Sequence, residues 1–139
     1  MSHFKPKREL RLVIDQVIAS LNEDDVVGPK LRDLGTPIQV TFTDFDATVN
    51  VRAGQPGESN LVWVWSKKVK WEPVTSVECR SDDANRFLQG KLRVAAVLAL
   101  RKVKVHGSLT TGLKALAICH PMLGHYREQI EQQYPHLVV

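Results

Sequence analysis

Residues 74–118 read VTSVECRSDDANRFLQGKLRVAAVLALRKVKVHGSLTTGLKALAI and carry most of the information about the architecture. The segment opens with a short strand over residues 74–80. Ser81 follows, and a serine in front of a helix accepts hydrogen bonds from its free backbone N–H groups. Asp82 and Asp83 then lie where the helix dipole favours negative charge. The sequence therefore predicts a helix that starts at Asp82 with Ser81 as its N-cap.

Apolar residues dominate the rest of this segment. Residues 94–100 predict a second short helix with so little polar surface that we expect other elements to cover most of its sides. A strand follows at residues 103–105. A third helix then restarts at His120 and Pro121 and ends at Pro135, after which a short tail either docks or frays. The apolar positions of this last helix are Leu109, Leu113, Leu116, Ala117, Met122, Leu123, Tyr126, Ile130 and Tyr134.

The N-terminal third is predicted to be helical. Apolar residues recur at spacings of three and four over residues 7–22, which predicts one amphipathic helix. A short helical turn over residues 29–34 is closed by Gly35, which suits a C-terminal cap. The apolar stripe of the first helix is Leu10, Val13, Ile14, Val17, Ile18 and Leu21. Its other face is covered by Arg8, Glu9, Arg11, Asp15 and Gln16.

The pattern changes from helical to alternating after Pro37. Residues 38–42, 47–52 and 61–65 are rich in β-branched and aromatic residues, and turn sequences separate them. Such short connections predict an antiparallel meander. Both faces of the third strand are apolar, because Leu61 and the tryptophans point one way and the valines point the other. We therefore expect this strand at the centre of the sheet.

Length and composition fit one globular domain over residues 1–139, without repeats or linkers. The formal net charge of +4 favours encounters with anionic surfaces but says nothing about fold. Cys79 and Cys119 lie far apart, and no apolar secretory segment opens the chain, so we expect reduced thiols and a cytoplasmic protein. No apolar run approaches the roughly 20 residues that span a bilayer, which argues against an integral membrane protein.

Several short motifs match the pattern of one protein family. They are Ser81-Asp82, Phe87-Leu88, Gly90-Lys91-Leu92, the apolar helix at 94–100, the strand from Lys102 to Gly107, and Leu113-Lys114-Ala115-Leu116-Ala117. On these motifs the chain resembles the sterol carrier protein family of small intracellular lipid carriers over residues 8–120. Residues 121–139 form an additional C-terminal helix and tail.

The resemblance implies an α+β fold: a five-stranded, mainly antiparallel sheet covered by helices, with an apolar cavity between sheet and helices. It implies a fatty acid, fatty acyl-CoA or sterol-like ligand, and no catalytic residue, metal or cofactor. The residues expected to line the cavity are Phe87, Leu88, Val94, Val97, Leu98, Leu113, Leu116, Ala117, Met122, Leu123 and Tyr126. Taken singly, each fits a filled core better, because protein interiors are close-packed, and only the resemblance favours a cavity.

A nucleic-acid surface, on which bases stack and lysines follow phosphates, is an alternative raised by tryptophans interleaved with lysines: Trp63, Trp65 and Trp71 with Lys67, Lys68 and Lys70. Trp63 and Trp65 share one strand face with Leu61, whereas Lys67 and Lys68 lie beyond them. This arrangement favours a half-buried sheet face followed by a solvated basic loop. A nucleic-acid partner is therefore disfavoured.

Catalytic and metal sites find little support in the sequence. The five histidines include no pair at the spacing that places two ligands on one helical face. Ser108 near His106, and Cys119 beside His120, lack a third group to orient them.

The leading interpretation is non-enzymatic intracellular lipid binding or transfer, with a lipid or other hydrophobic small molecule as the partner. The alternative is an accessory module that presents a hydrophobic substrate to a partner enzyme. A transient contact with an anionic membrane is also left open by the basic residues.

Overall fold

The computed structural model describes residue 4 and residues 6–35, 37–99, 101 and 103–139, without the side chains of Val94 and Val97. The helices are α1 (Lys7–Glu23), α2 (Val27–Leu34), α3 (Ser81–Leu88), α4 (Val94–Ala99), α5 (Leu109–Cys119) and α6 (Leu123–Gln133), with short 3-10 turns at His120–Met122 and Pro135–Leu137. The strands are β1 (Ile38–Phe42), β2 (Ala47–Ala53), β3 (Leu61–Trp65), β4 (Thr75–Cys79) and β5 (Lys104–Gly107). The predicted strand residue Lys102 lies outside the described residues.

The five strands form one sheet in the order β3-β2-β1-β4-β5. Neighbouring strands are antiparallel except β1 and β4, which run parallel with Val40 opposite Val77. The predicted α+β class and mainly antiparallel five-stranded sheet are therefore confirmed. The expected meander is present as β1, β2 and β3, in which each strand pairs with the next.

The expected central position of β3 is wrong, because this strand lies at one edge of the sheet. One face of β3 packs on α1, where the indole N–H groups of Trp63 and Trp65 both donate to Oδ1 of Asp15, at 3.1 and 2.6 Å. The other face is open enough that Val64 is 42% exposed. Both faces of β3 are apolar although the strand lies at an edge. One face packs on α1, and the other is partly exposed to water.

The two faces of the sheet differ in chemistry. Strand alternation places Val40, Val49 and Val77 on the face that also carries the buried residues Phe42 and Cys79. This face packs against helices.

The opposite face carries polar side chains that pair across strands. Gln39 donates to Asn50 at 3.0 Å, Asn50 donates to the backbone oxygen of Ser66 at 2.6 Å, and the hydroxyls of Thr41 and Thr48 lie 3.0 Å apart. The apolar face of the sheet is therefore the one that contributes to a core or a cavity.

The apolar stripe of α1 is buried as predicted, with Leu10 and Val13 almost fully enclosed. Its polar face, in contrast, is engaged by other elements. Besides Asp15 below the tryptophans, Gln16 accepts a hydrogen bond from the side-chain amide of Gln129 and donates one to the hydroxyl of Tyr134. Glu9 lies 2.6 Å from a ring nitrogen of His136. Helix α1 therefore lies between β3 and the C-terminal segment.

Helix α3 starts one residue earlier than predicted, and Ser81 is its first residue instead of its N-cap, which is Arg80. The reason is Asp44, in the turn between β1 and β2. Its carboxylate accepts from the backbone N–H and the hydroxyl of Ser81, at 2.9 and 2.6 Å. This contact ties the start of α3 to the β1–β2 turn.

The described alanine side chains of helix α4 are less covered than the sequence predicts. Ala95, Ala96 and Ala99 are exposed, and Leu98 is half-buried. The three alanines are therefore not covered as expected, and the expected cover of Val94, Val97 and Leu100 lies outside the described residues.

Candidate ligand-binding cavities

An inner cavity of about 340 Å³ lies between the apolar face of the sheet and the helices. Valines from neighbouring strands form its floor, among them Val40, Val49 and Val77. Its upper walls come from α1, α2, α3 and α5, with Leu98 of α4 at one side. The lining is predominantly apolar, so this space suits a hydrocarbon and offers little to a polar ligand.

An outer cavity of about 580 Å³ lies among α1, α3, α5 and α6. Its walls are apolar, and Met122, Leu123 and Tyr126 close one side. Polar residues also line it: Ser20, Arg93, His120, His125 and Gln129. The outer cavity therefore combines an apolar interior with polar groups on its boundary.

The two cavities adjoin, because they share part of their walls. The shared residues are Val17, Leu21, Phe87, Leu88, Leu113, Leu116 and Cys119. Leu113 and Leu116 remain 41% and 37% exposed, although they belong to the predicted apolar stripe of α5. Both leucines line the two cavities, so part of their surface faces unfilled space. Close packing of a protein interior fails here over the length of both cavities.

A buried polar network holds the α6 wall of the outer cavity. The hydroxyl of Tyr126 donates to Oδ1 of Asn85 at 2.6 Å, and Nδ2 of Asn85 donates to the backbone oxygen of Leu137 at 2.8 Å. Gln89 bonds to both of these acceptors at 2.8 Å. Burial raises the pKa of Tyr126 well above its usual range. The hydroxyl therefore stays protonated and keeps donating to Asn85.

The C-terminal tail is part of this network. Leu137 is fully buried, and Arg127 donates to the backbone oxygen of Val139 at 2.8 Å. The tail therefore docks on the rest of the domain. Of the two outcomes that the sequence left open, docking is observed and fraying is not.

Both cysteine thiols are free, and burial raises the pKa of Cys79 to about 12 and that of Cys119 to about 11. Thiols of such high pKa are poor nucleophiles at neutral pH. Among the described residues, no group of three His, Cys, Asp or Glu side chains is placed to hold a metal ion. None of the described helices is long and apolar enough to cross a membrane.

The sequence-predicted lining residues fall into two groups. Phe87, Leu88, Leu98, Leu113, Leu116, Ala117, Met122, Leu123 and Tyr126 border one or both cavities. The side chains of Val94 and Val97 lie outside the described part of the structure. That the bordering residues contact a ligand stays a prediction.

Sequence reasoning missed the sheet valines, α1 and α2 as walls of the cavities, and it missed the role of Asn85. Val17 and Leu21 of α1 line both cavities, but their stripe looks the same whether it faces a core or a void. Asn85 is 1% exposed and lies on the buried side of α3. The sequence did contain one signal for this role: Asn85 is a polar residue that lies on the same helical face as the apolar residues Ala84 and Leu88.

Two of the three tryptophans of the alternative nucleic-acid surface are engaged within the protein. Trp63 and Trp65 are half-buried with their N–H groups on Asp15, and the guanidinium of Arg11 lies 5.3 Å from the ring of Trp65. Lys67 pairs with Asp46 at 2.9 Å. These rings are occupied by the protein's own groups.

No protein-family model matches the sequence, and no curated protein matches it. Solved structures do share its architecture. UbiJ-SCP2, a ubiquinone synthesis protein, has a TM-score of 0.60 at 12% identity, over 83% of this chain and 93% of its own. Sterol carrier protein 2 like 2 from Aedes aegypti has a TM-score of 0.56 at 17% identity, over 76% of this chain and 91% of its own. The chain has a sterol-carrier-protein-like fold. The palmitated form of the Aedes aegypti protein also matches it, with a TM-score of 0.54 at 18% identity, over 76% of this chain and 90% of its own.

The structure of this chain also matches part of a much larger protein. The inverting sec-alkylsulfatase Pisa1 from Pseudomonas has a TM-score of 0.56 at 12% identity, over 66% of this chain. This chain spans only 14% of the length of that sulfatase. The likeness therefore concerns one portion of the larger structure.

Proposed function

We propose that this protein binds a lipid in its two adjoining cavities and carries or transfers it without catalysing a reaction. The observation that supports the proposal most is that both cavities share the apolar residues Phe87, Leu88, Leu113 and Leu116. These residues lie on α3 and α5, and the inner cavity separates them from the apolar face of the sheet. Cavities of about 340 and 580 Å³ lie within the range of small-molecule sites.

The physics of binding needs no designed polar contact. Burying an acyl chain of about 14 methylenes, at ~0.8 kcal/mol each, releases on the order of 11 kcal/mol before immobilisation of the ligand is subtracted. A fatty acid, fatty acyl-CoA or sterol-like ligand is therefore the proposed cargo. The Aedes aegypti relative, described as palmitated, supports an acyl ligand by analogy of fold.

A titration of delipidated protein with a fluorescent fatty acid, cis-parinaric acid, tests the proposal. We expect saturable binding of one ligand per chain and displacement by palmitate. Substitution of Leu116 in the shared wall should weaken this binding, as argued in the Discussion. Absence of saturable binding for fatty acids, acyl-CoA and sterols alike would reject the proposal.

A second candidate is an accessory module that presents a hydrophobic substrate to a partner enzyme. Two comparisons favour it: UbiJ-SCP2 is described as a ubiquinone synthesis protein, and the sulfatase contains a matching portion within a larger enzyme. Helix α6 offers the contact, because Glu128 and Gln132 are exposed while Tyr126 and Ile130 are buried.

The test of this second candidate substitutes the exposed face and leaves the buried one intact. Glu128→Ala with Gln132→Ala should abolish association with a candidate enzyme in a pairwise binding assay while cis-parinaric acid still binds. Equal loss of both properties would argue against a separate presenting surface. Deleting α6 cannot serve, since it removes Tyr126 and one wall of the outer cavity.

A further inference from the structure

The outer edge of β3 offers backbone groups to a further strand. Ser66 donates from its backbone N–H to β2 at 3.0 Å. Because hydrogen bonds alternate along an antiparallel strand, the backbone groups of Leu61, Trp63 and Trp65 point away from β2. The N–H of Leu61 confirms this direction, since it donates to the side chain of Asn22 on α1 at 2.8 Å. Within the described residues, the outward N–H groups of Trp63 and Trp65 meet no protein acceptor.

The two edges of the sheet differ in how they are protected against pairing. Edge strands of natural proteins commonly carry charged residues or proline, which discourage the addition of another strand. Strand β5 follows this rule, because Lys104 and His106 are exposed on it. The sequence of β3, Leu-Val-Trp-Val-Trp, contains neither a charged residue nor a proline, and Val64 is 42% exposed. The edge of β3 is therefore the unprotected one.

Charges of opposite sign lie at the two ends of this edge. Helix α1 runs antiparallel to β3, because Arg11 lies 5.3 Å from the ring of Trp65 while the last turn of α1 bonds to Leu61. Arg8 therefore lies toward the Trp65 end of the edge, and Glu23 toward the Leu61 end. Arg8, Arg11 and Glu23 are exposed, and in the part of the chain that the structure describes none of them forms an ion pair.

We propose that β3 pairs with β3 of a second copy of this chain, antiparallel and about a twofold axis, so that the two sheets become continuous. Such an axis places the Trp65 end of one copy beside the Leu61 end of the other. The basic end of each α1 then lies toward the acidic end of the other α1, at two equivalent places. The outward N–H groups gain acceptors, and the exposed face of Val64 meets the valines of the second strand. The pairing does not depend on a bound lipid.

The charges and the edges disfavour other arrangements of two copies. Parallel pairing of the two β3 strands would bring like charges together at both ends, which is repulsive. Pairing of β3 with β5 of another copy would leave one edge free on each side and would add copies without closing. It would also place Lys104 and His106 in the contact. Antiparallel self-pairing of β3 alone gives a closed, charge-matched dimer.

Sedimentation equilibrium of the full chain without added lipid tests the proposal. We expect the average mass to rise with concentration from 15.7 kDa towards twice that value. Val64→Lys should raise the dimer dissociation constant at least about tenfold, because each strand then brings an ammonium group into the contact. The matched control is Val74→Lys, at a 39% exposed valine before β4, which should change the constant less than about twofold. Circular dichroism checks that both variants are folded.

The charge complementarity is tested by reversing its members singly and together. Arg8→Glu or Glu23→Lys should each raise the dissociation constant at least about fivefold, since twofold symmetry repeats the like-charge contact. The double variant should restore dimerisation, and Lys91→Glu, at an exposed position between α3 and α4, is the control. The proposal is overturned by a monomer at every concentration up to about 1 mM, by equal effects of the two lysine substitutions, or by a double reversal that fails to restore the dimer.

Discussion

The hydroxyl of Tyr126 donates a 2.6 Å hydrogen bond to Oδ1 of Asn85, joining α6 to α3 through a buried pair. Nδ2 of Asn85 in turn donates a hydrogen bond to the backbone oxygen of Leu137. One amide thus fixes α6 and the tail relative to α3, and α6 is a wall of the outer cavity. The pair keeps that wall in position while the space beside it stays unfilled.

Replacing Asn85 by Leu should lower the free energy of unfolding by about 2 kcal/mol, since the hydroxyl of Tyr126 loses its buried acceptor. Urea denaturation followed by circular dichroism measures the change. Gln132→Leu, at an exposed position of α6, is the control and should change stability by less than about 0.5 kcal/mol. Similar values for both variants would show that the network contributes nothing specific.

Asp15→Ala should destabilise the contact between α1 and β3, because the indoles of Trp63 and Trp65 lose their common acceptor. We expect a loss of about 1–3 kcal/mol together with a weaker near-ultraviolet circular dichroism signal from the tryptophans. Asp33→Ala removes an exposed carboxylate from α2 and serves as the control. An unchanged tryptophan signal in the Asp15 variant would contradict this contact.

Leu116→Trp should fill part of the wall shared by the two cavities. Because the new ring occupies space that a ligand needs, the dissociation constant for cis-parinaric acid should rise at least about tenfold, or ~1.4 kcal/mol. Thermal unfolding should change little, since Leu116 faces a void. Leu12→Trp, on the exposed side of α1, is the control. Unchanged affinity in the Leu116 variant would place any ligand elsewhere.

Cys119 should react slowly with iodoacetamide, because burial raises its pKa to about 11 and only the thiolate attacks. Below that pKa the thiolate fraction rises about tenfold per pH unit, so the alkylation rate should climb from pH 7 to pH 9. Since Cys119 lines both cavities, bound palmitate should slow the reaction at every pH. Mass spectrometry of the peptide that contains Cys119 follows the rate. Fast, pH-independent labelling, or labelling that palmitate does not slow, would contradict this placement.

The sequence predicted the order of elements well, because the signals were local: the apolar period of α1, the alternation of β1 and the glycine that follows α2. The position of β3 at an edge of the sheet could not be predicted from its own sequence pattern. Val64 looks alike in a central strand and in an edge strand that meets water, and only the pairing of β1 with β4 distinguishes the two.

The partners of Asp15 could not be predicted from one helix either, since they are indoles 48 and 50 residues away. The cavities posed a similar difficulty. Leu113 and Leu116 have the spacing of any buried stripe, and whether such a stripe meets another side chain or a void depends on distances between elements.

Native mass spectrometry of the delipidated protein with added palmitate tests lipid binding most directly. The unfilled apolar space around Phe87 and Leu116 predicts a complex of one chain with one palmitate, reduced in the Leu116→Trp variant and retained in Leu12→Trp. A spectrum with unliganded protein alone, repeated with acyl-CoA and with a sterol, would contradict lipid binding in these cavities.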